Sequence, residues 1–141
     1  MAEKLKLHYD VDGQNFTSAG EASVQVKKKL RQMGFSPDVI RRVSIAMYEG
    51  EITMVIHAGG GEVDVVITPD CIDITLEDHG PGIADIPLAM KEGYSTAPDN
   101  VRALGFGAGM GLPNMKRYTD DMKIESTVGV GTKITMKVAA V

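Results

Sequence analysis

The stretch Glu62-Val63-Asp64-Val65-Val66-Ile67-Thr68-Pro69-Asp70-Cys71-Ile72-Asp73-Ile74-Thr75-Leu76-Glu77-Asp78 decides the fold. Val63, Val65 and Ile67 alternate with Glu62, Asp64 and Thr68, and Ile72, Ile74 and Leu76 alternate with Asp73, Thr75 and Glu77. A period of two on both sides of a Pro69-Asp70 turn predicts an antiparallel hairpin with one apolar and one polar face. Such a sheet needs a cover on one side only.

Working outward, a second hairpin closes the chain. Met122, Ile124 and Ser126 lead to a Gly129-Val130-Gly131 turn, after which Ile134, Met136 and Val138 alternate with Lys133, Thr135 and Lys137. At the other end, Leu5, Leu7 and Tyr9 alternate with lysines, His8 and Asp10 as a short strand, followed by a turn at Asp12-Gly13. Ala22 to Met33 reads as a helix with Val26, Leu30 and Met33 on its apolar face, ended by Gly34. Ser36-Pro37-Asp38 starts a second, long helix, with Ser36 as cap and Pro37 at the first helical position. It runs to about Ala58 and stops at Gly59-Gly60-Gly61. A short helix from Ile86 to Lys91, a long Gly-containing loop from Gly93 to Gly111 and a helix from Leu112 to about Tyr118 join the hairpins. The expected fold is α+β, a two-layer sandwich with helices covering one face of the sheet. A Rossmann arrangement is excluded, because strands and helices do not alternate singly and the strands are half polar.

The 141 residues are expected to form a single domain, 1–141. A 43% hydrophobic and 24% charged composition excludes disordered and fibrous classes. The net charge of −4 and the absence of Trp argue against nucleic acid or an anionic membrane as partner. Cys71 stands alone, which removes any disulfide framework or multi-cysteine zinc site, and it reads as a packed small side chain. No segment reaches roughly 18 apolar residues, so a soluble, cytoplasmic protein is expected.

Four features carry chemistry. Glu49, Thr53 and His57 recur every fourth residue along the long helix, a polar stripe beside the core positions Val43, Met47, Gly50 and Met54. The stripe reads either as a wet helix edge or as a carboxylate, hydroxyl and imidazole lining a cleft, and spacing alone does not choose. Next, Asp78-His79-Gly80-Pro81-Gly82-Ile83 ends the first hairpin. It reads either as a plain turn or as a carboxylate at the sheet edge beside unobstructed backbone. Third, Gly105-Phe106-Gly107-Ala108-Gly109-Met110-Gly111-Leu112-Pro113-Asn114 places four glycines at every second position before a helix. Free N–H groups at a helix start, reached past glycines, suit a phosphate, and the preceding loop could close over it as a lid. No Gly-Lys-Ser/Thr follows, so this is not a P-loop. The fourth feature, Gly131-Thr132 at the entry to the last strand, is weak by itself.

Taken in order, Glu49-x-x-x-Thr53-x-x-x-His57, Asp78-x-Gly80-x-Gly82, Gly109-x-Gly111-Leu112 and Gly131-Thr132 resemble the boxes of the GHKL ATPases, the Bergerat-fold group of gyrase, Hsp90 and histidine kinases. Within it the chain is similar to the small serine kinases of bacterial partner switching, the anti-sigma factors and the stressosome switch kinase. The resemblance implies a Bergerat ATP-binding fold with a mixed, mainly antiparallel sheet, and ATP or ADP as ligand. It implies that Asp78 accepts a hydrogen bond from the adenine amino group, with Gly80, Gly82 and Ile83 letting the base approach and Thr132 in support. Glu49 is the implied general base. Backbone N–H groups of Gly107, Gly109, Met110, Gly111 and Leu112 are the implied phosphate cradle, with Thr53 and His57 completing the nucleotide-binding set. Mg²⁺ is implied too, yet the family has Asn where this chain has Thr53, a shorter and poorer oxygen donor. The implied partner is an anti-sigma antagonist or a sigma-factor-type protein, and a homodimer is expected from the anti-sigma members. The implied activity is a serine/threonine protein kinase acting on a small antagonist; the alternative is a nucleotide-binding regulatory module that sequesters a partner without transferring phosphate.

Overall fold

The computed structural model describes residues 4–12, 20–90 and 111–140. Among these residues, five strands and four helices follow the order β1 (Leu5–Asp12), α1 (Glu21–Gln32), α2 (Pro37–Ala58), β2 (Gly60–Ile67), β3 (Cys71–Asp78), α3 (Ile86–Ala89), α4 (Gly111–Arg117), β4 (Asp121–Thr127) and β5 (Gly131–Ala139). The strands form one sheet in the order β1-β2-β3-β5-β4. Every neighbouring pair is antiparallel, so the sheet carries no parallel pairing among the described strands.

Alternation sets the layers. The register puts Val63 opposite Leu76, Val65 opposite Ile74, and Ile74 opposite Met136. All five side chains are within 1% of full burial. Each such side chain is worth roughly 1.5–3 kcal/mol of transfer free energy. Their neighbours Glu62, Asp64, Lys133 and Lys137 point to the opposite, exposed face. Helix α2 covers the apolar side through Val43, Met47, Gly50 and Met54, all buried. Gly50 permits the close approach, since a Cβ there would lie 2.6 Å from Leu76 Cδ1.

The ends of α2 follow the local rules. Ser36 Oγ accepts a hydrogen bond from Val39 N, Pro37 opens the helix, and Gly59 closes it at φ 73°. Gly60 and Gly61 do not belong to that stop; they begin β2. Met33 also departs from expectation. It lies past the last helical residue of α1 as its C-cap and is 46% exposed, while Val26 and Leu30 reach the core. The short helix ends at Ala89, with Lys91 outside the described residues. The Asp12-Gly13 turn lies outside them too, at Gly13. No helix among the described residues is long and apolar enough to cross a membrane.

Candidate functional site

Helix α2 presents two polar clusters. Glu49 and Ala58 are nine residues apart, about 13 Å along the axis. The two clusters sit at these two positions.

At the first cluster, Glu49 is half-buried, and burial holds its carboxyl above the ordinary carboxylate range, partly offset by the Asn114 amide. Asn114 Nδ2 donates to Glu49 Oε1 at 3.5 Å, a long contact of the kind that tightens when a ligand closes a site. Thr53 Oγ1 donates back to Glu49 O at 2.8 Å, so its one hydrogen is engaged within the helix. The start of α4 fits directly over this pair, for a Cβ at Gly111 would lie 2.7 Å from Thr53 Oγ1 and 3.7 Å from Glu49 Oε2. Only glycine allows that approach. Leu112 sends its side chain into the core beside Met115. His57, one turn beyond Thr53, is partly buried, and burial lowers its pKa so that the neutral imidazole is favoured.

The second cluster forms where β3 ends. Asp78 stands opposite Thr132 in the sheet, and Thr132 stands opposite Ser126, so three strands contribute one row. Asp78 Oδ1 accepts from Gly80 N at 3.0 Å and from Thr132 N at 3.2 Å. Gly80 lies against Ala58 of α2, where a Cβ would come within 2.6 Å of the alanine Cβ. Gly82 adopts φ 79° with Thr127 O 2.5 Å from where its Cβ would be, so both conformation and space call for glycine. Two bonds fasten this loop to the second hairpin: Gly129 N to Pro81 O at 2.8 Å and Ile83 N to Ser126 Oγ at 2.7 Å. Gly131 in turn abuts the Asp78 carbonyl.

The sequence-predicted residues therefore fall into two groups. Glu49, Thr53 and Gly111 come together at one place; Asp78, Gly80, Gly82, Ile83 and Thr132 come together at the other. Gly107, Gly109 and Met110, with the lid, lie outside the described residues. Three polar residues that make long-range contacts were missed, two of them at the site. Ser126 continued an apolar stripe as a polar residue, which is a readable signal. Asn114 stood one turn into the helix after the glycines. Glu51 interrupts an apolar run between Gly50 and Ile52, and it is 1% exposed. A cavity of about 310 Å³ lies between β1 and α1, walled in part by Glu51, and none of Glu49, Thr53 or Asp78 lines it.

Comparison with known proteins bears on the family and the fold. Residues 43–140 match the family model described as histidine kinase-, DNA gyrase B-, and HSP90-like ATPase. The chain is 31% identical over 140 residues to an anti-sigma F factor of Clostridium novyi, covering 95% of this chain and 92% of the relative. It is 32% identical over 108 residues to the serine/threonine-protein kinase RsbT of Bacillus subtilis, covering 74% and 75% respectively. A crystal structure of the RsbU and RsbW domains of a Mycobacterium tuberculosis protein shares the fold, with a TM-score of 0.65 at 16% identity. That match covers 95% of this chain, which spans 32% of the solved one.

Proposed function

The chain belongs to the histidine kinase-, DNA gyrase B-, and HSP90-like ATPase family, and from that premise we propose that it is an ATP-dependent serine/threonine protein kinase of bacterial partner switching. Its substrate is a small antagonist protein, and its further partner a sigma-factor-type protein; it acts in the cytoplasm, as a homodimer, through one domain. The observation that carries this reading is Glu49: a half-buried carboxylate with a raised pKa, beside the glycine that opens α4. A module that only binds nucleotide has no use for a poised base.

In this reading Asp78 accepts from the adenine amino group through Oδ2, the oxygen that makes no hydrogen bond among the described residues. Gly80, Gly82 and Ile83 give the base its approach, and Thr132 supports Asp78. Backbone N–H groups of Gly107, Gly109, Met110, Gly111 and Leu112 hold the phosphates, with His57 at the end of the stripe. Glu49 takes the proton of the attacking serine hydroxyl, and the positioned donors stabilise charge on the transferring group. The donor set suits Mg²⁺ held mainly by phosphate and water, because Glu49, Thr53 and Asn114 all offer hard oxygen atoms. When bound, the ion neutralises charge on the β- and γ-phosphates. Thr53 sends its hydrogen to Glu49 O, which leaves its oxygen lone pairs for that ion.

Thr53, a shorter and poorer oxygen donor than the Asn of the family, favours the second reading, a nucleotide-binding module that sequesters its partner without catalysis. Calorimetric titration of ADP and ATP, with Mg²⁺ and then with EDTA, separates the two, joined to intact-mass assay of small antagonist proteins carrying an acceptor serine. A kinase adds phosphate to an antagonist and binds ATP more tightly with Mg²⁺. A binding module takes nucleotide indifferently to Mg²⁺ and leaves the antagonists unmodified. Thr53→Asn then gains both Mg²⁺ dependence and transfer if a decayed metal site is the cause. Failure to bind either nucleotide rejects both readings.

A further inference from the structure

The base end of the site contains a hydroxyl node to which no motif gives a role. Ser126 Oγ lies 2.7 Å from Ile83 N, 2.8 Å from Thr132 Oγ1 and 3.2 Å from Gly131 O. A backbone N–H can only donate and a carbonyl can only accept, whereas a serine hydroxyl has one hydrogen and two lone pairs. All three contacts form together in one arrangement alone. Ser126 accepts from Ile83 N and from Thr132 Oγ1, and it donates to Gly131 O. If Ser126 instead donates to Thr132, the Gly131 bond is forfeited.

The complete arrangement has a consequence for Thr132. Its only hydroxyl hydrogen is turned toward Ser126, so toward anything else the oxygen is an acceptor. Beside it stands Asp78, bonded to the Thr132 backbone N–H and, as a carboxylate, also an acceptor. Thr132 is 8% exposed, so bulk water has little access with which to relieve a mismatched contact.

We propose that Ser126 is a positioning residue for base specificity: by holding the Thr132 hydroxyl as an acceptor beside Asp78, it tunes the pocket to an exocyclic amino group. An amino group brings two N–H donors to two acceptors. A keto oxygen at the same place brings only lone pairs and meets like with like. Ser126 acts through Thr132, and it ties the Asp78–Ile83 loop to the β4–β5 hairpin with the same atom. The inference rests on the nucleotide-binding reading above and adds to it the positioning role of Ser126 through Thr132.

The test is calorimetric titration of ADP and of inosine diphosphate, whose base has a keto oxygen in place of the adenine amino group. Wild type is expected to prefer ADP. Ser126→Ala frees the Thr132 hydrogen to turn toward the ligand, so the ADP preference narrows by roughly three- to tenfold, the worth of about one neutral hydrogen bond. Ser126→Thr keeps the hydroxyl and restores the preference. Ser126→Cys, near-isosteric and a weak donor and acceptor, gives the same narrowing should the alanine variant fail to fold. A Ser126→Ala protein that loses affinity for both nucleotides equally, with the preference intact, overturns the inference and leaves Ser126 a structural tie. Wild type that binds neither nucleotide overturns the nucleotide reading itself, and this inference with it.

Discussion

Glu49 and Glu51 stand two residues apart on α2, and the two flanks of that helix use them in opposite ways. On the α1 flank, Glu51 is fully buried and accepts from Gly20 N at 2.6 Å and Ser23 N at 2.7 Å. Gly20, φ 98°, precedes helix α1 as its N-cap and offers no side-chain cap, so Glu51 serves as the cap from another helix. The orphan N–H groups and the positive end of the α1 dipole are what make a buried carboxylate tolerable there. Burial pushes its pKa up, and the Ser23 and Gly20 N–H groups partly offset that. On the α4 flank, Glu49 is less buried, and among the described residues its one side-chain partner is Asn114 at 3.5 Å. A carboxylate is available for chemistry to the extent that its surroundings leave its lone pairs unspent. Both oxygens of Glu51 are committed; among the described residues Glu49 Oε2 makes no hydrogen bond and Oε1 only the long one to Asn114.

Exchanging the function of either flank is the direct way to break this contrast. The largest effect is expected from Glu49→Gln, which removes the base while keeping shape. Phosphoryl transfer falls by roughly 10²–10⁴-fold, the usual contribution of a positioned base, while ADP affinity stays within a few-fold. Intact mass of the antagonist and calorimetry read the two quantities. An equal loss in Glu51→Gln with unchanged stability would erase the distinction between the flanks.

Next in size is the stability of Glu51→Gln. An amide cannot accept at both ends, so one of the Gly20 or Ser23 N–H groups faces a donor, at a cost of roughly 1.5–3 kcal/mol. Urea denaturation with an unchanged m-value measures it. The same measurement on Glu49→Gln should show a change within about 0.5 kcal/mol, as for a site away from any committed network.

The smallest effect concerns pH. The base must be ionised, and burial holds the Glu49 pKa above its ordinary value while Asn114 pulls it down. Transfer therefore falls away on the acid side through a pH above the ordinary carboxylate range. Asn114→Ala removes the lowering contact, so that limb of kcat/KM moves further up in pH. A limb that stays in place would mean the 3.5 Å contact does not operate in the closed complex. Stability has its own sign: a glutamate raised in the folded state binds its proton more tightly there than when unfolded. The fold thus loses stability as pH rises from the ordinary carboxylate value through the raised one. Glu49→Gln should reduce that slope and leave the part that Glu51 contributes.

Much of this architecture was legible in advance, and the parts that were not have a common cause. Alternation in 62–78 and 122–138 announced both hairpins, and Ser36, Pro37 and Gly59 marked α2. Thr132, 54 positions away in the chain, meets the local Asp78–Gly82 turn at the sheet edge. Met33 misled because helical spacing continued one residue beyond the point where α1 stops. Glu51 was passed over because a glutamate inside an apolar run has no local partner to reveal its purpose.

What the sequence determined by itself is whatever rests on neighbours within a turn or a strand: the periods that assign helix or strand, the caps that bound them, and the face each element buries. Those signals are local because backbone geometry repeats every two or 3.6 residues. What only the tertiary structure decided are bonds between groups far apart in the chain: Ser23 to Glu51, Ile83 to Ser126 and Asn114 to Glu49, separated by 28, 43 and 65 positions. A hydrogen bond depends on distances of a few tenths of an ångström and on which lone pairs are already taken. Residue type names the donors and acceptors, and packing alone settles which of them remain for a ligand.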